Sequence, residues 1–460
     1  GAAPGPAAGP FSAGNAGLTV AILVLVTLVA FESMAVSTAM PAVAQDLDAV
    51  RSYGLAFSVM LTGQLLGIVL AGVWSDRAGP LPGTFVGQAL LAGGSAVCAV
   101  ADRLDVFLVG RALTGLGGGL LVVMLYVIAG RVFPESVRPR FFALVSAAWV
   151  LPSLLGPPLT AWLTSTWSWR VVFWLVVAPV LVTGVTMARL RGRVETGTLQ
   201  GGFGALDTAA HVRAARSGLV LALAAAAVQW GTTDLRTPWS AATLLAAVGL
   251  LGVGVAAPRL LPRGTFAMAR GLPSVMLARG GFTAVFIGAA SYLPLMLTSE
   301  RGTTLGQAGI ILSLGSFGWA AGSWVQGRAR MDGRRPLLVS VAGALLVTGI
   351  GLLAALSWLG LPTWLAVPAM VFAGLAMGLG VTSTTVLSLE LTPVEEHGPT
   401  SSSLQLSDVL GSVMGVAAAN AVFATLHRGP GLDAPVYTVV FGGLAALAGV
   451  CVAAGRRIRT

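Results

Sequence analysis

The chain has 460 residues, of which 56% are hydrophobic and 10% are charged, and its mean hydropathy is +0.87. This composition excludes a soluble globular domain and predicts an all-α polytopic membrane protein. The net charge of +10 comes from arginine alone, because the sequence contains no lysine. The arginines fall mainly in the loops of one predicted membrane face, so the charge does not indicate nucleic acid as a partner.

Apolar runs long enough to cross a bilayer recur along the chain at intervals of roughly 30 residues. The opening segment 1–17 has no basic n-region, so it predicts a disordered tail and not a signal peptide. After it we predict fourteen spans, at 18–42, 54–75, 83–101, 105–131, 139–163, 171–190, 217–233, 239–257, 272–297, 305–327, 336–357, 363–389, 401–426 and 435–455.

The arginines test this arrangement. With the N-terminus inside, nineteen of the 27 lie in cytoplasmic loops or the C-terminal tail, six lie in outer loops and two lie within spans. This asymmetry predicts that both termini are cytoplasmic. The lack of lysine is typical of a GC-rich genome, so we expect a bacterial cytoplasmic membrane. The predicted parts are a six-helix bundle (18–190), a linker (191–216), two linking transmembrane helices (217–257), a loop (258–271) and a second six-helix bundle (272–460).

One carboxylate, Glu32, lies inside the first span, roughly 20 Å from its start by helix rise. A charge at that depth costs about 2.5 kcal/mol or more, so it needs a partner, a proton or a water-filled cavity. Glu32 therefore predicts a functional site. The alternative is a hydrogen bond between helices with a structural role only.

A short loop follows the second span and contains Gly72, Asp76, Arg77 and Gly79 in the order GVWSDRAG. We expect Gly72 to permit close helix approach, Gly79 to permit a turn, and Asp76 to pair with Arg77 or to cap a helix. A weaker copy, GSWVQGRARMDGRR, follows the tenth span and indicates an internal repeat.

Two more motifs lie inside spans. Arg111 precedes the glycines of RALTGLGGG, and a buried arginine stays charged and needs an acid or several carbonyls. Glu32 is the candidate partner of Arg111, and the alternative is again a structural ion pair. In the fifth span, Gly156 and Pro157 predict a helix kink.

Together these motifs resemble the major facilitator superfamily, and the layout of six, two and six spans resembles its fourteen-span drug/proton antiporter branch. In that family the GVWSDRAG-like loop holds one conformation on the cytoplasmic side. The arginine that matches Arg111 is implicated in proton transfer, and the Gly-Pro kink belongs to the antiporter signature. Two departures stand out: Pro80 follows Gly79 where the family has basic residues, and only half of the Gly-Pro signature is present.

Further polar groups lie in the predicted spans. Asp408 either handles protons or substrate, or pairs with Arg279, which lies at comparable depth in the ninth span. Four others either line a cavity or join helices by hydrogen bonds: Gln64, Tyr126, Gln405 and Asn420. Three histidines are expected in solvated loops: His211, His397 and His427.

The sequence contains no phosphate loop, no metal-ligand spacing and no nucleophile elbow. We therefore predict that the protein is not an enzyme and binds no metal or cofactor. Without a nucleotide site, we expect an ion gradient to be the energy source. The resemblance implies a monomeric proton-coupled antiporter that exports small amphipathic or cationic compounds by alternating access. A proton and the substrate would compete for Glu32, each excluding the other, and the nearby Arg111 would tune how readily this carboxylate binds a proton. The alternatives are a lipid or glycolipid exporter, a proton symporter of the same fold, or a transport-inactive receptor or assembly factor.

Overall fold

The computed structural model describes residues 10–12, 15–133, 137–192, 194–195, 208–233, 235, 240–328, 333–393 and 396–458. Within these ranges the chain contains no strand and fourteen helices of twenty residues or more. They are α1 (Ala16–Asp46), α2 (Tyr53–Ala78), α3 (Pro80–Val100), α4 (Leu104–Val132), α5 (Arg138–Thr166), α6 (Trp169–Arg189), α7 (Thr208–Gly231), α8 (Ala241–Leu260), α9 (Leu272–Arg301), α10 (Leu305–Gln326), α11 (Arg335–Leu359), α12 (Ala366–Glu390), α13 (His397–Leu426) and α14 (Ala434–Arg457).

Most helix ends lie within a few residues of the predicted spans. The largest difference is at α7, which begins at Thr208 where the predicted span begins at 217. His211 was predicted in a loop and instead lies in this helix, although its side chain is outside the described residues. At the N-terminus, α1 starts at Ala16, and the Thr19 hydroxyl donates to the Pro10 carbonyl at 2.6 Å.

Proline and glycine account for several helix ends. Proline stands in the first turn of α3, α5, α9, α11 and α14, where its missing N–H costs no hydrogen bond. Gly302 and Gly360 end α9 and α11 in the left-handed conformation, which glycine adopts without strain. Twelve of the fourteen helices are long and apolar enough to cross a membrane; among the searched residues, α5 and α7 fall outside that set.

The two halves of the fold repeat one packing scheme. In the first half, α1 packs on α5 and α6, α2 packs on α4, and α3 packs on α4 and α6. In the second half, α9 packs on α13 and α14, α10 packs on α12, and α11 packs on α12 and α14. The first to sixth helices of each half thus have equivalent partners, which is the expected result of an internal repeat.

Glycines bring the second and fourth helices of each half into backbone contact. A Cβ atom added at Gly115 of α4 would lie 2.0 Å from the Met60 carbonyl oxygen of α2. At the equivalent crossing, a Cβ at Gly374 of α12 would lie 1.8 Å from the Gly315 carbonyl oxygen of α10. Side chains at these positions would force the helices apart, so the close approach of each pair depends on its glycines.

The halves meet along two seams, where α2 packs on α13 and α5 packs on α10. At one end of the molecule, a continuous hydrophobic core joins α1 and α2 to α9 and α13. We call this the outer end, because the arginine distribution predicts that it faces outside. A second core, around Leu25, Leu125 and Phe141, contains first-half residues and Val194 of the linker, with no second-half residue among those that the structure describes. The halves are therefore joined most closely at the outer end.

Helices α7 and α8 form a hairpin against the α2–α13 seam. Leu65 of α2 and Val413 of α13 belong to the same buried cluster as Leu221 and Ala225 of α7 and Val253 of α8. The hairpin therefore contacts both halves of the molecule.

Candidate functional site

The first half contains a buried ion pair between Glu32 of α1 and Arg111 of α4. Arg111 Nη1 donates to Glu32 Oε1, and the two side chains are 2% exposed or less. The structure thus brings together the two charges that the sequence analysis singled out in this half. Because water is excluded, each charge depends on the other for its stabilisation.

Helix α2 supplies the other acceptors of the arginine. Arg111 Nε donates to the Ala56 carbonyl oxygen at 3.0 Å, and Arg111 Nη2 lies 2.9 Å from the Met60 sulfur. Gly115, one turn after Arg111, allows the close α2–α4 approach that places the guanidinium against these atoms. Met60 gives no sequence signal for this role, because a methionine in an apolar span usually only fills space.

A second ion pair lies in the other half, between Arg279 of α9 and Asp408 of α13. The contact is bidentate, with Nε–Oδ1 at 2.5 Å and Nη2–Oδ2 at 2.7 Å. Arg279 Nη1 also donates to the Val381 carbonyl at 2.6 Å and to the Thr385 hydroxyl at 2.8 Å, both on α12. The Asp408 side chain remains 26% exposed, so this carboxylate is accessible where Glu32 is not.

The predicted kink motif in α5 lies at the α5–α10 seam. Because Pro157 has no N–H, it cannot donate to the Ser153 carbonyl oxygen one turn earlier. The hydroxyl of Ser316 in α10 donates to that oxygen instead, at 2.9 Å. On the same seam, a Cβ at Gly309 would lie 2.9 Å from the Pro157 carbonyl oxygen. Gly156 faces α1, where a Cβ would lie 3.7 Å from the Phe31 ring.

The predicted GVWSDRAG loop, residues 72–79, is only partly described. Gly79 has φ of +73°, so the expected turn is present between α2 and α3. The expectation for Gly72 is wrong: a Cβ there would meet no atom within 4 Å, and the residue is exposed, so close approach does not require glycine. The side chains of Asp76 and Arg77 lie outside the described residues.

The four predicted cavity residues differ in environment. Asn420 is buried and accepts a hydrogen bond from the Tyr292 hydroxyl at 3.1 Å, so it joins helices. Gln405 is exposed, and Gln64 is half-buried on α2, one turn after Met60. Tyr126 is 37% exposed beside a narrow crevice between α1, α4 and α5.

Three comparisons place this geometry in a known family. The sequence profile of the Major Facilitator Superfamily matches residues 22–419. The multidrug transporter protein MdtP of Bacillus subtilis (strain 168) is 24% identical over 418 residues, which cover 88% of this chain and 74% of that protein. The efflux pump dotC of Dothistroma septosporum is 25% identical over 323 residues, 66% of this chain and 54% of the pump. The chain thus spans about half the length of the fungal relative.

Solved structures share the fold at lower identity. A crystal structure of the peptide transporter POT in complex with sulfate has a TM-score of 0.69 at 17% identity, covering 96% of this chain and 94% of the transporter. A D-xylose-proton symporter has a TM-score of 0.63 at 14% identity, covering 94% of this chain and 96% of the symporter. The chain belongs to the Major Facilitator Superfamily, and it is a multi-pass membrane transporter, not an enzyme.

Proposed function

We propose that the protein is a proton-coupled antiporter that exports small amphipathic or cationic compounds across a bacterial cytoplasmic membrane. The observation that carries this proposal is the buried pair of Glu32, halfway along α1, and Arg111, about two turns from the start of α4. An ionisable residue inside a membrane span is energetically costly, and such residues typically mark substrate or proton pathways. The multidrug transporter and the efflux pump among the relatives support export as the direction.

In the proposed cycle, proton and substrate compete for the Glu32 carboxylate. In the present conformation Arg111 occupies that carboxylate, so a proton or cationic compound replaces the guanidinium when the site opens. Ala56 and Met60 give the displaced guanidinium remaining acceptors on α2. The partly exposed Asp408, which is paired with Arg279 in the present conformation, serves as a second proton or substrate group in the other half.

Alternating access would rock one half against the other along the α2–α13 and α5–α10 seams. The structure, closely joined at its outer end, corresponds to a state that faces the cytoplasm. This orientation belongs to the proposal, together with fourteen spans, cytoplasmic termini and a functional monomer.

Proton release from purified protein on addition of a lipophilic cationic dye tests the proposal. We expect release from the wild type and none from Glu32→Gln, because the amide has no proton to exchange. Glu390→Gln is the matched control, since Glu390 is a half-exposed acid paired with Arg335 at the end of α12. Dye binding without proton release in the wild type, unchanged in Glu32→Gln, would refute proton antiport. Dye flux into inside-out but not right-side-out vesicles under an imposed pH gradient tests the direction.

A further inference from the structure

The connection between α13 and α14 at the outer end contains a buried histidine–carboxylate pair. His427 Nδ1 is hydrogen-bonded to Asp433 Oδ2, and the side chains are 10% and 2% exposed. The sequence predicted a solvated histidine here, and that prediction is wrong. The short connection folds back and buries both side chains, a result of local backbone geometry that residue types alone do not reveal.

Two carboxylates organise this connection. Asp433 Oδ1 accepts a hydrogen bond from the backbone N–H of Arg428 at 2.7 Å. Glu300, at the end of α9, accepts from the Gly431 N–H at 2.9 Å and from the Asp433 N–H at 3.3 Å. Besides Asp433, the charged and titratable groups at this connection include Arg428, Glu300 and the adjacent Arg301 at the end of α9, and Tyr437 of α14, whose ring lies 5.6 Å from that of Phe423. Arg301 is directed away, to the Leu356 carbonyl of α11.

The histidine ring is linked to the contact between the two halves. It stacks on Phe423, with centroids 4.9 Å apart, and Phe423 lies 5.2 Å from the Tyr292 ring. Tyr292 in turn lies 5.4 Å from the Tyr53 ring of α2, in the first half.

A close approach of α2 to α13 completes this contact. A Cβ at Gly54 would lie 2.5 Å from Asn420 Oδ1, the atom that accepts the Tyr292 hydrogen bond. We call Tyr53, Gly54, Tyr292 and Asn420 the outer seal. Because His427 packs on the same aromatic cluster, the position of the connection and the geometry of the seal depend on each other.

Protonation of His427 would strengthen its contact with Asp433. A neutral imidazole donates one ordinary hydrogen bond, whereas an imidazolium makes a charge-assisted one that is about twice as strong. Histidine is also the side chain that ordinarily changes charge between about pH 5 and 8.

We propose that His427 and Asp433 form a proton-binding site at the outer end, separate from Glu32, and that a proton bound there stabilises the outer seal. An acidic exterior then both supplies the transported proton and favours closure behind it. The site goes beyond the proposed antiport, because it concerns the seal and not the binding of substrate. Its sidedness rests on the predicted topology.

Distance measurement between spin labels tests the proposal on the full chain in lipid nanodiscs. Asp102→Cys in the first half and Leu359→Cys in the second place labels on exposed residues at the outer end, while the native Cys98 and Cys451 are buried. Glu32→Gln in the background removes the carboxylate of the proposed antiport site. We expect the fraction with the short distance to rise several-fold as pH falls from about 7.5 to 5.5, through the histidine range.

His427→Asn should abolish this rise, because the asparagine amide replaces the Nδ1–H donor but cannot take up a proton. Its distances at pH 7.5 should match the parent, which shows that the fold is intact. The matched control is the double variant His211→Asn, His397→Asn, which leaves His427 as the only histidine of the three in the chain and should keep the full response.

Distances independent of pH in the parent, or an equal response in His427→Asn, would overturn the proposal. If His427→Asn does not fold, Asp433→Asn provides the second test, and persistence of the full response there has the same meaning. The antiport proposal and the seal proposal can fail independently of each other, because a protein without coupled proton release could still show a pH-dependent outer seal.

Discussion

Arg111 of α4 and Arg279 of α9 are the largely buried, ion-paired arginines of the two halves, and they are satisfied in different ways. Arg279 donates to a carboxylate, a carbonyl and a hydroxyl, so it retains oxygen acceptors if Asp408 is protonated. Arg111 has Glu32, one carbonyl and a thioether sulfur, which is a weak acceptor. The charge of Arg111 therefore depends more heavily on its single acid.

This dependence predicts strong energetic coupling between Arg111 and Glu32. Arg111→Met alone leaves a buried carboxylate without its cation and should cost about 3–5 kcal/mol of stability. The double variant Arg111→Met, Glu32→Leu should recover much of that loss, since an apolar pair of similar volume needs no partner. Tryptophan fluorescence during denaturant unfolding in detergent measures both values. Additive losses would show that the two charges do not stabilise each other.

Asp46, at the outer end of α1, predicts a pH-dependent contribution to stability. The hydrogen bond from Arg170, at 2.7 Å, and then the one from Trp169, at 3.0 Å, lower the pKa of Asp46 below its ordinary value of 3.8. A lowered folded-state pKa stabilises the fold above the unfolded pKa, and this contribution is lost as pH falls through the folded value. The difference in Tm between wild type and Asp46→Asn should be present at pH 6 and shrink below about pH 4. Asp48→Asn, which changes the charge equally nearby, should show a smaller difference at pH 6.

At the scale of helices, the α5–α10 seam shows what the sequence could and could not predict. The proline at 157 predicts an interrupted hydrogen-bond ladder, because its ring nitrogen carries no hydrogen. The identity of the group that satisfies the freed carbonyl depends on Ser316, 163 residues away from Ser153. No local pattern carries that information, since it follows from the packing of two halves.

Gly309 predicts how that seam responds to a larger side chain. Even alanine would place a Cβ 2.9 Å from the rigid Pro157 carbonyl, so Gly309→Ala should push α10 away from α5. We expect fewer molecules with the outer end closed, seen as faster labelling of a cysteine introduced at Thr38, which is buried beside Gly309. Gly306→Ala is the control, because a Cβ there meets only the Thr304 hydroxyl, at 3.7 Å. Equal labelling rates in both variants would contradict the prediction.

At the scale of the molecule, the helix positions were predictable because a bilayer core of about 30 Å fixes the length of apolar runs. The pairing of helices was not, because fourteen similar apolar segments carry little information about their neighbours. The sequence also correctly placed Glu32 and Arg111 among the buried charges. It missed Met60, Ser316 and the buried His427, whose roles depend on contacts between distant segments.

The fourteen-span arrangement predicts the side of the membrane on which each connection lies. Alkaline phosphatase fused after residue 235, between α7 and α8, should be active, because this connection is expected in the periplasm. Green fluorescent protein fused at the same place should not fluoresce. Fusions after residue 265 and at the C-terminus should show the reverse. Cytoplasmic fluorescence at both 235 and 265 would mean that α7 and α8 do not cross the bilayer.

The α7–α8 hairpin has a consequence for the speed of motion. Its buried cluster is formed largely by short side chains, among them Ala222, Ala224, Ala225, Ala256 and Ala257. Because such a surface has shallow ridges, we expect α2 and α13 to slide along it without side chains having to disengage and interlock again. The hairpin would then keep the two halves aligned without slowing their relative motion. Bulk added at these alanines would slow the exchange of states without favouring either one.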